Sequence, residues 1–118
     1  LKEYFAALKI EQEKYTNVVL FFQVGSFYEN YGYNDVNNTE YIATKILNIE
    51  VRPKDLEKDV SINNPLFCGF QCEYLGKFLD KLIDNLYTVV TYDQVKNEKN
   101  NEKTNEKKYK LEERVRTN

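Results

Sequence analysis

The sequence predicts an α/β (α+β) domain, a mixed β-sheet flanked by helices. Three observations carry that reading. Short apolar runs rich in β-branched and aromatic residues, such as 18–22 and 87–92, have the composition of strands and are too short for helices. Leu75, Phe78, Leu79, Leu82, Ile83 and Leu86 follow the i, i+3, i+4, i+7 spacing of an amphipathic helix. The two kinds of segment alternate as helix–strand–helix–(strand)–strand–helix–strand–strand, which implies a mixed sheet covered by helices.

Each element has its own signal. Leu1, Tyr4, Phe5, Leu8 and Tyr15, with lysines and glutamates between them, form the apolar stripe of a first helix, which Asn17 ends. Val18-Val19-Leu20-Phe21-Phe22 reads as a strand buried on both faces, and Gly25-Ser26 closes it. Phe27 to Tyr33 is expected to be a loop or short helical turn dense in aromatics. A second helix is expected from about Asp35 or Asn38, either of which would cap it, to Leu47, with Ile42, Ile46 and Ile49 on its stripe. Residues 50–64, polar and holding Pro53, read as a loop or edge hairpin. Leu66 to Phe70 is a strand, the helix of Leu75 to Leu86 follows, and Asn85 is the expected left-handed residue near its end. Tyr87 to Tyr92 has the composition of a central strand, and a last strand is expected around Tyr109–Val115. Between them, Asn97-Glu98-Lys99-Asn100 and two near-repeats of it place like charges four apart, so a helix gains nothing from pairing there. Residues 96–108 are expected to form a flexible charged loop.

Composition bounds the function. At 118 residues, 42% hydrophobic and 14% aromatic, the chain suits one domain with a real core. Leu1 in place of Met and the polar end at Asn118 are expected to be the borders of a domain, residues 1–118, within a larger polypeptide. Seventeen basic against nineteen acidic residues leave a net charge of −2, so phosphate neutralisation alone cannot hold a nucleic acid. The absence of histidine excludes Ser-His-Asp and Cys-His catalysis within the chain. Cys68 and Cys72 are too few for a disulfide framework and read as buried thiols of a reducing, intracellular compartment. No run approaches the roughly 18 apolar residues of a membrane span.

The segment Phe22-Gln23-Val24-Gly25-Ser26-Phe27-Tyr28-Glu29 resembles the signature of the mismatch-recognition domain (domain I) of the MutS family of DNA mismatch-repair proteins. There a buried strand ends in Gly, a variable residue, then Phe-Tyr-Glu. The likeness continues through Gly69, the long helix, the Val-rich strand and Asp93-Gln94, where the family often has Glu-Gln. Three positions depart from it: Ser26 stands where Asp is frequent, Gln71 replaces a common Pro, and Leu86 sits where a helix-ending Gly is usual. The charged loop has no clear counterpart.

The resemblance implies a DNA-binding domain without enzymatic activity of its own, which recognises mismatched or unpaired bases in duplex DNA. Phe27 would enter from the minor groove and stack on the displaced base. Such wedges cost a few kcal/mol of unstacking, less at a mismatch that has already lost pairing. Glu29 would hydrogen-bond an edge of that base, and a carboxylate facing DNA requires that it or the base hold a proton. No cofactor is implied in this domain. ATP, Mg²⁺ and a MutS-type dimer belong, by resemblance, to the parent protein, since no Gly-x-x-x-x-Gly-Lys-Ser/Thr run occurs here. The bland alternatives are that Phe27 packs into the core and that Glu29 is a solvated charge, while Tyr28 is read as a packing residue with its hydroxyl bonded. Two other functions compete. One is a metal-dependent nuclease using Glu29, Asp35, Glu40 or Asp93. The other is a protein-interaction domain of a DNA-processing assembly, with the aromatic cluster at 28–33 as its surface.

Overall fold

The computed structural model describes residues 1–94 and the backbone of 107–112. Helix α1 spans Lys2–Lys14, strand β1 Val18–Val24 and strand β2 Phe27–Gly32. Helix α2 begins at Thr39–Tyr41 and widens into π-helical turns over Ile42–Leu47. A two-residue strand β3, Arg52–Pro53, and β4, Leu66–Gln71, lead through a 3₁₀ turn, Cys72–Tyr74, into α3, Leu75–Asp84. Strand β5, Thr88–Gln94, and β6, Lys107–Glu112, complete a six-stranded sheet of order β3-β4-β2-β1-β5-β6. The central β1–β5 pair is parallel and the other pairs are antiparallel, so the sheet is mixed as expected. Of the charged loop expected over residues 96–108, Lys107 and Lys108 open β6. The remainder lies outside the described residues.

Strand alternation sends successive side chains to opposite faces, and each face meets its own helices. On one face α1 packs Tyr4 and Leu8 against Val18, Leu20, Phe22, Tyr31 and Val90. On the other, α3 presents Phe78, Leu79, Leu82 and Ile83 to Val19, Phe21, Tyr28, Phe70 and Val89, with Ile42 and Leu47 of α2 beside them. Each fully buried side chain of this size contributes about 1.5–3 kcal/mol of transfer free energy. β1 is buried on both faces, in keeping with its continuous apolar run.

Several local expectations are corrected. Phe27 to Gly32 is a strand, not a loop or helical turn, because Gly25 and Ser26 make a two-residue hairpin that returns the chain along β1. Neither Asp35 nor Asn38 caps α2 with its side chain. Instead the Thr39 hydroxyl donates to Asn30 Oδ1 (2.6 Å), and Asn30 Nδ2 donates to the Leu20 carbonyl (2.9 Å), tying α2 to the sheet through a wholly buried amide. Glu11, read as part of the polar side of α1, is buried and accepts a hydrogen bond from the Tyr92 hydroxyl (2.7 Å).

Helix α3 stops two residues early. Leu86 is 68% exposed rather than on the buried stripe, and it, not Asn85, is left-handed, with φ 69°. Tyr87 N–H donates to the Leu82 carbonyl and Leu86 N–H to that of Ile83, the paired bonds of a Schellman cap. Among the described residues the other left-handed positions outside glycine are Asn17, Asn34 and Asn48, a residue type that tolerates this region.

Candidate nucleic-acid interface

The hairpin between β1 and β2 presents its tip at one end of the sheet. Val24 pairs with Phe27 across Gly25 and Ser26, and Gly25 carries the positive φ, 61°, that a two-residue hairpin loop needs at its first position. The tip is tied on both flanks. Gly25 N–H donates to Gln94 Oε1 (3.2 Å), Gln94 N–H to Gln23 Oε1 (2.8 Å), and Gln23 Nε2 to the Gly25 carbonyl (3.2 Å). On the other side Cys72 N–H donates to the Ser26 carbonyl (2.8 Å). The turn is thus fastened to β5 and to the end of β4, and whatever it carries is held without a mobile loop.

It carries two apolar side chains with little cover. Phe27 is 41% exposed and Val24 44%, facing each other across the hairpin. Alternation along β2 puts Phe27, Glu29 and Tyr31 on the α1 side of the sheet, Tyr31 packed against Tyr4 of α1 and Phe27 and Glu29 nearer the hairpin tip. Tyr28 points the other way into the core, and its hydroxyl donates to Asp93 Oδ1 (2.9 Å). Burial, and then the Asp93 carboxylate, hold that hydroxyl above its ordinary range, so it remains a donor.

Glu29 is half-buried beside Phe27 and accepts a hydrogen bond from the Tyr31 hydroxyl, two positions along the same face. Burial first, and the Glu29 carboxylate second, raise the Tyr31 hydroxyl above its usual value. Across the strand pair, Glu29 is opposite Gly69. A methyl group on Gly69 would lie 2.8 Å from the Tyr28 carbonyl and 3.2 Å from Glu29 Cγ, so the glycine leaves the space that Glu29 occupies. Toward α1, a groove of about 300 Å³ continues the face between Tyr4 and the side chains of Phe22, Val24 and Tyr31. Lys54 lies at its rim, and the Arg52 guanidinium sits 5.5 Å from the Phe67 ring centroid. A larger cavity, about 460 Å³, lies at the far end of the sheet against Asn17, Asp35 and Tyr87, remote from the hairpin tip.

Phe27 and Glu29 therefore stand together on one face. Of the carboxylates weighed for a nuclease, Glu29 and Asp93 are on opposite faces, each engaged by a tyrosine. Among the described residues no three His, Cys, Asp or Glu side chains converge as a metal would require. The aromatic cluster read as a possible protein-binding surface is largely internal, since Tyr28 and Tyr31 are buried. Cys68 is buried, and burial, with Glu29 nearby, pushes its thiol up to about 12. Cys72, expected to be buried too, is only half-buried beside the turn. Sequence reasoning passed over Tyr31, Gly69 as the partner of Glu29, and the Gln23–Gln94 clasp. The first had a signal, the Glu-x-Tyr spacing of side chains on one strand face, legible once 27–32 is known to be a strand.

Among the described residues no helix is long and apolar enough to cross a membrane. The sequence model of the family described as MutS domain I matches residues 2–115, nearly the whole chain. No curated protein matches the chain.

Proposed function

This chain belongs to the MutS domain I family, the DNA-binding, mismatch-recognition domain of MutS-type repair proteins, and from that premise we propose that Phe27 is its wedge and Glu29 the group that bonds the displaced base. The observation that carries this reading is a half-exposed aromatic on a hydrogen-bonded two-residue hairpin, with a carboxylate two residues on along the same face. A protein wedge must not fold back when it meets stacked bases. The clasp from Gln94 and Cys72 supplies that resistance. Because the tip is ordered beforehand, little conformational entropy is lost on insertion, and the binding free energy goes to unstacking the weakened step.

Net charge −2 fits a reader that selects sites rather than one that supplies most of the affinity. Lys54 and Arg52 flank the face and would meet phosphates. The remaining contacts, the ATP- and Mg²⁺-dependent steps and a dimer partner would be the work of other parts of a MutS-type polypeptide. Two thiols that form no disulfide fit a reducing intracellular compartment.

Phe27→Ala in the intact protein tests the assignment. Anisotropy titrations on G·T and matched duplexes should show mismatch preference falling at least about tenfold, a few kcal/mol of stacking being at stake. Folding should be preserved, because much of the ring lies outside the core. An unchanged preference refutes the wedge, and a large loss of thermal stability would assign Phe27 to the core.

A further inference from the structure

We propose that Tyr31 is a positioning residue that holds Glu29 with one carboxylate oxygen occupied and the other presented beside Phe27 as an acceptor, so that the site favours displaced bases whose pairing-edge ring nitrogen carries an N–H. This rests on the reading of Phe27 and Glu29 given above. Among the described residues, Tyr31 is the hydrogen-bond partner of Glu29, and it binds Oε1. Its ring is packed on two sides and its backbone is tied. It meets Tyr4 edge-on at 5.0 Å, stacks on Phe67 at 6.0 Å, and its backbone carbonyl accepts Asn37 Nδ2 at 2.8 Å. A ring so held leaves the hydroxyl one direction, and the absence of a side chain on Gly69 leaves Glu29 room to meet it.

The preference follows from counting protons. A carboxyl group and a base edge need one proton between them to form a hydrogen bond. Tyr31 already donates its own proton to Glu29, and a donor bonds an ionised carboxylate about twice as strongly as a neutral acceptor. The bond to Tyr31 is therefore strongest when the shared proton stays on the base. Thymine, which carries N–H at ring N3, meets that condition. Cytosine, which carries a lone pair there, does not. The hydroxyl's own resistance to ionisation keeps this polarity fixed across neutral pH.

The experiment measures the intact protein by anisotropy against duplexes with one unpaired thymine or one unpaired cytosine in the same flanks. Wild type should bind the thymine bulge more tightly. Tyr31→Phe, which keeps the ring and removes the hydroxyl, should shrink the thymine-to-cytosine ratio about three- to tenfold, the range for losing one typical net hydrogen bond. In a Glu29→Ala background the same change should leave the ratio unmoved. Equal weakening on both bulges by Tyr31→Phe would mean a merely structural tyrosine and overturns the proposal, as does a wild-type preference for cytosine. The underlying reading fails separately: Glu29→Ala binding every duplex as wild type does would remove Glu29 from the site altogether.

Discussion

Gly69→Ala should damage the sheet at the one point where Glu29 needs room. The new methyl would lie 2.8 Å from the Tyr28 carbonyl oxygen, closer than real Cβ contacts come, and 3.2 Å from Glu29 Cγ. The first contact is with backbone, so β2 and β4 must separate or shift, and overpacking of this kind costs about 1–3 kcal/mol. Removing a glycine from the unfolded chain returns about 0.4–1 kcal/mol. The net loss is on the order of 1–2 kcal/mol. An unfolding entropy of about 2.1 cal/mol/K per residue then makes this roughly 4–8 °C in Tm for a domain of this size. Gly76→Ala is the matched control. Nothing lies within 4 Å of its added methyl, and it sits exposed in α3, so it should stabilise by about 0.5–1 kcal/mol. Urea titrations followed by far-UV circular dichroism on both variants decide the matter. A Gly69→Ala midpoint equal to or above that of wild type would show that β2 and β4 absorb the methyl and that Gly69 does not shape the Glu29 site.

Three further outcomes are expected. Leu86→Gly should raise stability by about 0.5–1 kcal/mol in thermal melts, since it removes a left-handed leucine whose exposed side chain has little packing to lose; a drop in Tm would refute that. Asn30→Ala should cost about 2–3 kcal/mol by urea titration, because a buried amide that bonds both Leu20 and Thr39 is lost; a loss under 1 kcal/mol would show that the link is dispensable. Stability should also fall as pH rises from about 9 towards 12. Cys68 keeps its proton in the fold to about 12 but releases it near 9 when unfolded, so its contribution is complete below 9 and is lost as pH climbs to the folded value. Unfolding free energies from urea titrations at pH 7, 9 and 10.5 should decline by up to about 1.4 kcal/mol per pH unit per such group, and Cys68→Ala should flatten the curve between 9 and 10. An unchanged slope in that variant would clear the thiol.

What could be read from residues alone follows from how local each signal is. Helix α3 was legible because its burial repeats with the helical period, as in Phe78, Leu79, Leu82 and Ile83, and strands β1, β4 and β5 because each is a short run of apolar, β-branched or aromatic residues. Strand β2 was not. Both of its faces are buried, Tyr28 toward α3 and Tyr31 toward α1, and Asn30 between them is polar yet inaccessible, so no apolar–polar alternation appears. Glu11 was misjudged for a different reason, since its half-buried partner Tyr92 is 81 positions away. Phe27 and Glu29 were nameable from the Phe-Tyr-Glu run. Their common face, and the tyrosine and glycine that shape it, required the register of β2 against β4.

The clasp between Gln23 and Gln94 joins residues 71 positions apart, whereas the hairpin it fastens closes over two. These contacts differ widely in the time they take to form. A hairpin closes in microseconds, but parallel pairing of β1 with β5 must wait for a long loop to be closed before its contacts return any free energy. During folding or synthesis, therefore, Phe27 reaches its place opposite Val24 early and remains on a loosely held turn. Only when β5 docks does Gln94 cap Gly25 and stiffen the tip. A nascent chain shorter than residue 94 would present an apolar hairpin without its Gln94 fastening, a sticky, wrongly compliant version of the reader. The rigidity needed to probe DNA thus arrives with the last of the central strands, and the domain acquires its selectivity at the step that completes its core.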